Sequence, residues 1–323
     1  MKAAVIERYG PPEVVRIVEI PKPVPADNEV LVRVRATTVN SGDARVRAMR
    51  VPRGVGLLAR LQLGVSRPKQ PVPGFEAAGT IEAVGKDVTR FKPGERVVAS
   101  RGFGFGCHAE YITVAEDGAL AAIPEGTSDA EAVALLFGGI TSLVFFRLGD
   151  VKPGETVLIN GASGAVGVLA VQIARHLGAT VTGVCSAANA ELVRSLGADR
   201  VIDYAKTDFA TSGETWDVIM ENVGNAPFSR VEGALKPGGR YLMVIGDLFQ
   251  MIGGMFNKRV IAPAGGSDED AVNAENFAEL MRLAAAGTIR PVIDSTYPFG
   301  EIVEAHRRVD TGHKAGSVVV LLD

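Results

Sequence analysis

The sequence predicts an α/β protein that joins a doubly wound parallel sheet to a separate β-barrel-like domain. Three observations carry that reading. Short β-branched runs divided by Pro and Gly fill the first third of the chain, strands alternate with helices from about Glu125, and the tail returns to β character. A length of 323 residues accommodates two domains. With 47 % hydrophobic and 22 % charged residues, the chain can fill a core in each.

In the first third, Val30, Val32 and Val34 alternate with Leu31, Arg33 and Arg35, so residues 29–36 read as a strand. Residues 80–84 and 96–100 read as further strands, the second following a turn at Lys92-Pro93-Gly94-Glu95. Many short strands without intervening helices predict the barrel-like domain. Beyond it, helices are expected over 130–148, 166–177 and 190–196, and strands over 156–160, 181–185, 217–221 and 240–245. This alternation predicts a parallel sheet with helices on both faces. A helix over 277–286 closes that domain, and a strand over 317–322 should rejoin the first. The expected division is therefore 125–289 for the parallel-sheet domain, and 1–124 with 290–323 for the other.

A formal charge of −3 leaves no electrostatic footprint for nucleic acid or an anionic membrane, so neither is expected as a partner. Two cysteines, Cys107 and Cys185, form no disulfide framework and fit a reducing compartment. The N-terminus turns polar too early for a signal peptide. The longest apolar stretch, 132–146, is short for a membrane span and contains Gly138-Gly139, so it reads as a buried helix. A cytoplasmic protein is expected.

The strongest local signal is Gly161-Ala162-Ser163-Gly164-Ala165-Val166-Gly167, between an expected strand and an expected helix. Small residues let the backbone turn tightly and approach a pyrophosphate, whose charge meets N–H groups at the helix N-terminus. Ala162 stands where G-x-G-x-x-G has its first glycine; the strand–loop–helix–strand context identifies a dinucleotide site. After the second strand comes Cys185-Ser186-Ala187-Ala188-Asn189, with no acid to accept from a ribose 2′-hydroxyl. Ser186 and Asn189 can donate to a 2′-phosphate, which favours NADPH; they can equally cap the next helix.

Four blocks resemble medium-chain dehydrogenases/reductases of the quinone oxidoreductase branch. They are Asn40-Ser41-Gly42-Asp43, Pro73-Gly74-Phe75-Glu76-Ala77-Ala78-Gly79 with Val84-Gly85, Lys92-Pro93-Gly94-Glu95-Arg96-Val97, and the phosphate loop. The resemblance covers nearly the whole chain. It implies a GroES-like catalytic domain, a Rossmann domain, and an active site in the cleft between them. Dimers or tetramers made through the Rossmann domain are common in that family.

Zinc alcohol dehydrogenases share this architecture and take a cysteine near the position of Ser41 and a histidine in Gly-His-Glu. That motif here reads Gly74-Phe75-Glu76, and two cysteines cannot build a structural Cys-quartet site, so no metal is expected. Adjacent Cys107 and His108 read as strand-edge or core residues. Simple alcohol oxidation is then disfavoured. The expected reaction is hydride transfer to a quinone or an α,β-unsaturated carbonyl, with the cofactor carrying the chemistry.

The resemblance places Asn40 and Thr141 near the nicotinamide ribose and phosphates, and Ser163, Gly164, Ala165 and Val166 on the pyrophosphate. It puts Tyr204 beside the 2′-phosphate, Asn222-Val223-Gly224 on the adenosine side, and Ile245-Gly246 near the nicotinamide. Asn40 and Asp43 are the candidate catalytic residues. Asp43 and Arg45 form either a polar wall or an ion pair on a loop, and no residue stands out as a general acid. Residues 50–71 suggest a short helix that covers the cleft or packs on the barrel. Residues 247–259 offer an apolar substrate wall or an oligomer contact. A non-catalytic NADPH-binding protein, redox-responsive or structural, is the alternative from a different class.

Overall fold

Alternating β-branched residues build the N-terminal strands of the computed structural model, which describes residues 1–262 and 274–323. These strands are β1 (Lys2–Ile6), β2 (Val15–Glu19), β3 (Glu29–Val39), β4 (Glu76–Val84), β5 (Arg96–Ser100), β6 (Tyr111–Ala115) and β7 (Leu120–Ala122). Along β3, Val30, Val32 and Val34 are buried, as the alternation requires, but Leu31 and Ala36 are buried too. The strand lies in the middle of its sheet, with β4 and β6 both pairing its first half. Two short helices interrupt this region, α1 (Ser41–Ala48) and α2 (Gly56–Leu63).

The rest of the chain contributes α3 (Asp129–Leu148), β8 (Thr156–Asn160), α4 (Ala165–His176), β9 (Thr180–Cys185), α5 (Ala190–Ser195), β10 (Arg200–Asp203) and β11 (Trp216–Glu221). Then follow α6 (Phe228–Val231), β12 (Leu235–Met243), α7 (Leu248–Met255), β13 (Val260–Ile261), α8 (Ala274–Ala285), β14 (Ile293–Pro298), α9 (Ile302–Asp310) and β15 (Ser317–Leu321). A six-stranded parallel sheet runs β10-β9-β8-β11-β12-β13, the Rossmann order. A seven-stranded sheet runs β14-β15-β3-β4-β5-β7 with β6 on β3, the GroES-like half. The chain's last strand therefore sits beside β3, with Val318 opposite Val39.

Strand β12 and residues 41–48 depart from the sequence reading, whereas the long apolar helix matches it. Strand β12 starts at Leu235 rather than 240, because Lys236-Pro237-Gly238-Gly239 forms an irregularity inside the strand instead of a turn before it. It ends at Met243, which releases Val244–Gly246 as a loop. The expected apolar stretch is a full twenty-residue helix, long enough to cross a membrane by length. It is a core helix, as its apolar run implied, packed on α4, α8, β3 and β4. Finally, residues 41–48 are helical rather than a loop. Asn40 caps them by accepting from Gly42 and Asp43 N–H, while the Asp43 carboxylate returns to Asn40 N–H.

Candidate active site

In an open parallel sheet, ligands bind beyond the strand C-termini, where the strand order reverses. Here that point lies between β8 and β11. Strand β8 runs into Gly161, whose φ of +79° favours glycine. The N–H groups of Gly161 and Ala162 donate to Val184 O at 3.1 and 2.9 Å, which ties the loop to β9. Gly164 is the N-cap of α4, so the N–H groups of Ala165 and Val166 belong to its unsatisfied first turn. A Cβ at Gly167 would lie 2.1 Å from Gly161 O, so the loop closes this tightly only with glycine there.

Helix α3 crosses the same place. A Cβ on Gly138 would stand 2.0 Å from Ala165 O, so α3 touches the start of α4 through bare backbone. Thr141 lies one turn further along α3 and donates its hydroxyl hydrogen to Phe137 O at 2.7 Å. Its oxygen keeps acceptor capacity.

At the end of β9, Asn189 donates from Nδ2 to the Ser163 hydroxyl at 3.1 Å, leaving one amide hydrogen on that nitrogen. Ser186 heads the next short turn without a side-chain capping bond, so its hydroxyl stays available. Tyr204 is 59 % exposed, with its N–H on Cys185 O at 3.2 Å.

A buried network missed by the sequence reading holds the other side of the switch point. Asn160 Nδ2 donates to Glu221 Oε2 at 2.7 Å, and Glu221 Oε1 accepts from Val223 and Gly224 N–H at 2.6 and 2.7 Å. Burial pushes the Glu221 carboxyl up despite these donors. Asn222 donates to Asn160 O, and its Oδ1 is buried without a partner. A Cβ on Gly224 would be 3.1 Å from Ile245 Cγ2, so the loops after β11 and β12 meet there. A side chain on Gly246 would strike Met243 Sδ at 2.3 Å. An acid and an amide ending adjacent parallel strands were the available sequence signal.

Asn40 is buried, and its Nδ2 has no partner. Asp43 is also buried. It accepts from Asn40 N–H at 2.9 Å and Gly74 N–H at 3.1 Å, so it does not pair with Arg45 as one reading had it. Burial raises its carboxyl above the usual range, and the charge of His108 opposes that. Phe75 fills the place expected of a metal ligand. Its ring stacks edge-on with Phe103 and Phe105, at centroid distances of 5.9 and 4.9 Å. A Cβ on Gly42 would touch the Phe75 ring at 3.0 Å, so this aromatic floor lies directly under α1.

The residues around Phe75 do not fit a catalytic zinc. Phe75 offers carbon only, and His108 Nε2 is engaged with Thr38 O at 2.9 Å. Among the described residues, no three His, Cys, Asp or Glu side chains gather as a metal group. Cys107 is buried, and burial pushes its thiol up to about 12.

The last strand joins the two halves. Gly316 N–H donates to Ser163 O at 2.9 Å, and Ser317 Oγ donates to Ala134 O at 3.0 Å. Val318, two residues on, pairs with Val39. One strand thus holds the phosphate loop beside the start of α1, bringing Ser163 and Asn40 to the same cleft. Lys314, unremarked in the sequence, is anchored there by donating to Gly316 O at 2.7 Å. Burial lowers its ammonium to about 8, and burial raises the nearby Glu76 carboxyl to about 8. Thr38 Oγ1 donates to Glu76.

Across the cleft, Leu248 N–H donates to Arg53 O at 3.0 Å, so the segment before α2 touches the start of α7. Helix α2 does not pack its leucines on the barrel: Leu57, Leu58 and Leu61 are exposed, as are Phe249 and Met255 on α7.

Two family models match the chain. One, described as an alcohol dehydrogenase GroES-like domain, covers residues 26–125, and one described as a zinc-binding dehydrogenase covers 196–320. A chloroplastic quinone-oxidoreductase of Triphysaria versicolor is 31 % identical over 99 % of this chain and 98 % of its own length. The quinone oxidoreductase of Sus scrofa is 31 % identical over 100 % of this chain and 98 % of its own. Among solved structures, Escherichia coli quinone oxidoreductase complexed with NADPH superposes with a TM-score of 0.84 at 25 % identity, covering 100 % of both chains. The Coxiella burnetii quinone oxidoreductase gives 0.87 at 27 %, covering 100 % of this chain and 99 % of that one.

Proposed function

The chain belongs to the medium-chain dehydrogenase/reductase superfamily, in its quinone oxidoreductase-like branch, and is an oxidoreductase of that family; on that premise we propose that it transfers hydride from NADPH to a quinone or an α,β-unsaturated carbonyl. The observation that carries the reading is the pairing of Asn40 with Phe75. The Asn40 amide, whose buried N–H has no partner, and the Phe75 ring, which offers no metal ligand, meet on either side of Gly42. The acceptor must then be activated by its own conjugation. An enone takes hydride at its β-carbon because the carbonyl delocalises the resulting charge.

When bound, the nicotinamide supplies the hydride. The first turn of α4 and the Ser163 hydroxyl meet the pyrophosphate, with Asn189 holding that hydroxyl in place. Thr141, Val223, Ile245 and Gly246 border the same cleft. Ser186, Tyr204 and the remaining Asn189 hydrogen receive the 2′-phosphate; no acid in 185–189 repels it. Asn40 Nδ2 donates toward the nicotinamide ribose or the developing oxyanion. Asp43 is a positioning residue, locking the Asn40 backbone to Gly74. The phenyl floor excludes water, and we assign the proton that completes enone reduction to solvent. A cytoplasmic homodimer or homotetramer belongs to the same reading.

Stopped-flow oxidation of NADPH tests it with a panel of quinones and enones beside primary alcohols run in the oxidative direction. Rapid turnover of the conjugated acceptors and negligible alcohol oxidation are expected. Tight NADPH binding with no hydride transfer to any acceptor would instead favour the non-catalytic binding protein. For the cofactor, Ser186→Asp should erase or reverse a preference for NADPH over NADH by placing a carboxylate near the phosphate. Equal dissociation constants for the two cofactors in the unmodified protein would refute that assignment.

A further inference from the structure

We propose that the cleft carries a carboxylate-binding subsite formed by Ser41, Arg45 and Arg50, so that the preferred acceptor is a quinone or enone bearing a carboxylate. This rests on the hydride-transfer reading above and names the substrate class for it. The subsite is a cavity of about 220 Å³ that begins at Ser41, the neighbour of Asn40, and is lined also by Ala44, Val309 and Asp310.

The end of α1 brings the two guanidinium groups together. Met49 takes a left-handed conformation with φ of +49°, and its N–H closes on the carbonyls of Arg45 and Val46. The chain therefore folds back, and Arg50 N–H donates to Arg45 O at 2.9 Å. Asp310 is the one carboxylate lining the cavity, and both its oxygens are engaged. Arg47 takes Oδ2 and Arg50 takes Oδ1. Buried Arg47 is further committed to Gly10 O at 2.9 Å.

Arg45 is left over. It has no side-chain hydrogen bond or ion pair among the described residues, although it is partly buried against a second arginine. Burial, and then the like charge of Arg50, push its guanidinium below the usual value. Asp310 already answers the charge of Arg50, so Arg45 is the cavity's guanidinium without a counter-ion among the described residues, and an anion entering there gains most from it. A guanidinium fork matches a carboxylate through two parallel N–H···O bonds, and the Ser41 hydroxyl can add a third donor. Alanine at position 44 keeps the floor small enough for the group to enter.

The test uses a naphthoquinone with a propionate chain and its methyl ester, which differ at the carboxylate alone. With NADPH, the acid should be preferred over the ester by about tenfold in kcat/KM, the scale of a charge-assisted pair in a partly open site. Arg45→Met should bring that ratio close to one, and Arg45→Lys should restore part of it. A ratio near one in the unmodified protein, or one unchanged by Arg45→Met, would overturn the subsite. Titration calorimetry of the cofactor-free protein with benzoate gives a readout that needs no turnover: binding should be present, and lost in Arg45→Met. Tighter binding of phenylphosphonate than benzoate would overturn the carboxylate assignment. Benzoate binding that depends on Arg45, with no acceptor reduced at all, would keep the subsite and sink the reductase reading.

Discussion

Asn40 divides one amide between two tasks. Its Oδ1 caps α1 by accepting from Gly42 and Asp43 N–H at 2.8 and 3.1 Å, and its Nδ2 is left free. Truncation to alanine would confuse the two, since losing a cap costs about 1 kcal/mol by itself. Serine keeps an acceptor at the cap and removes the nitrogen donor. We expect Asn40→Ser to melt within a few degrees of the unmodified protein, yet to lose about a hundredfold in kcat. Unchanged kcat in that variant would show that the free N–H plays no part in turnover. The Asn-x-x-Asp spacing was legible as a site but not as a capping box, because Gly42 and the charged residues that follow carry no helical apolar stripe. Tertiary burial of Ala44 and Arg47 is what stabilises the helix.

At the scale of elements, α3 meets the start of α4 at backbone distance. Gly138 permits it, and it places Thr141 beside the phosphate loop. Gly138→Ala must push the helices apart, because the new methyl meets backbone rather than a movable side chain. The expected cost is about 3 kcal/mol, seen as a Tm lower by roughly ten degrees, with weaker NADPH binding on the same preparation. A variant with unchanged Tm and cofactor affinity would refute the close contact. Helix α3 itself was legible from its apolar run, with Gly138-Gly139 inside it as a mark against a membrane span. The two glycines answer two neighbouring helices, α4 at Gly138 and Leu280 of α8 at Gly139, and periodicity contains neither.

Across the whole molecule, β15 couples the halves, and two oppositely perturbed groups sit at that seam. Below about pH 8 Lys314 carries its charge and Glu76 is neutral; above it Lys314 is neutral and Glu76 is a carboxylate. Local charge thus moves from positive to negative as pH rises, and both changes disfavour an anionic cofactor beside Ser163. NADPH affinity should fall by about tenfold between about pH 7 and about pH 9. Lys314→Met and Glu76→Gln should each flatten that profile, measured by fluorescence titration. A profile that is flat in the unmodified protein would remove the seam from cofactor binding.

Local pattern determined a good deal by itself. The glycine-rich loop lies between a strand and a helix where expected, and β5 and β8 have the bounds expected from the turn before the one and the apolar run of the other, because turn chemistry and apolar runs are written in adjacent residues. Phe75 in the ligand position was likewise visible as a residue type. Contact decided the rest. The Asn160–Glu221 network needs two strands laid side by side, the approach of Arg45 and Arg50 needs the left-handed turn at Met49, and Gly316, which holds Lys314, reaches Ser163 at the head of β15, a strand that lies next to β3 although nearly three hundred residues separate the two strands in the chain. These groups acquire their chemistry from burial and from charges brought near by folding, and neither quantity is a property of a residue in its own sequence neighbourhood.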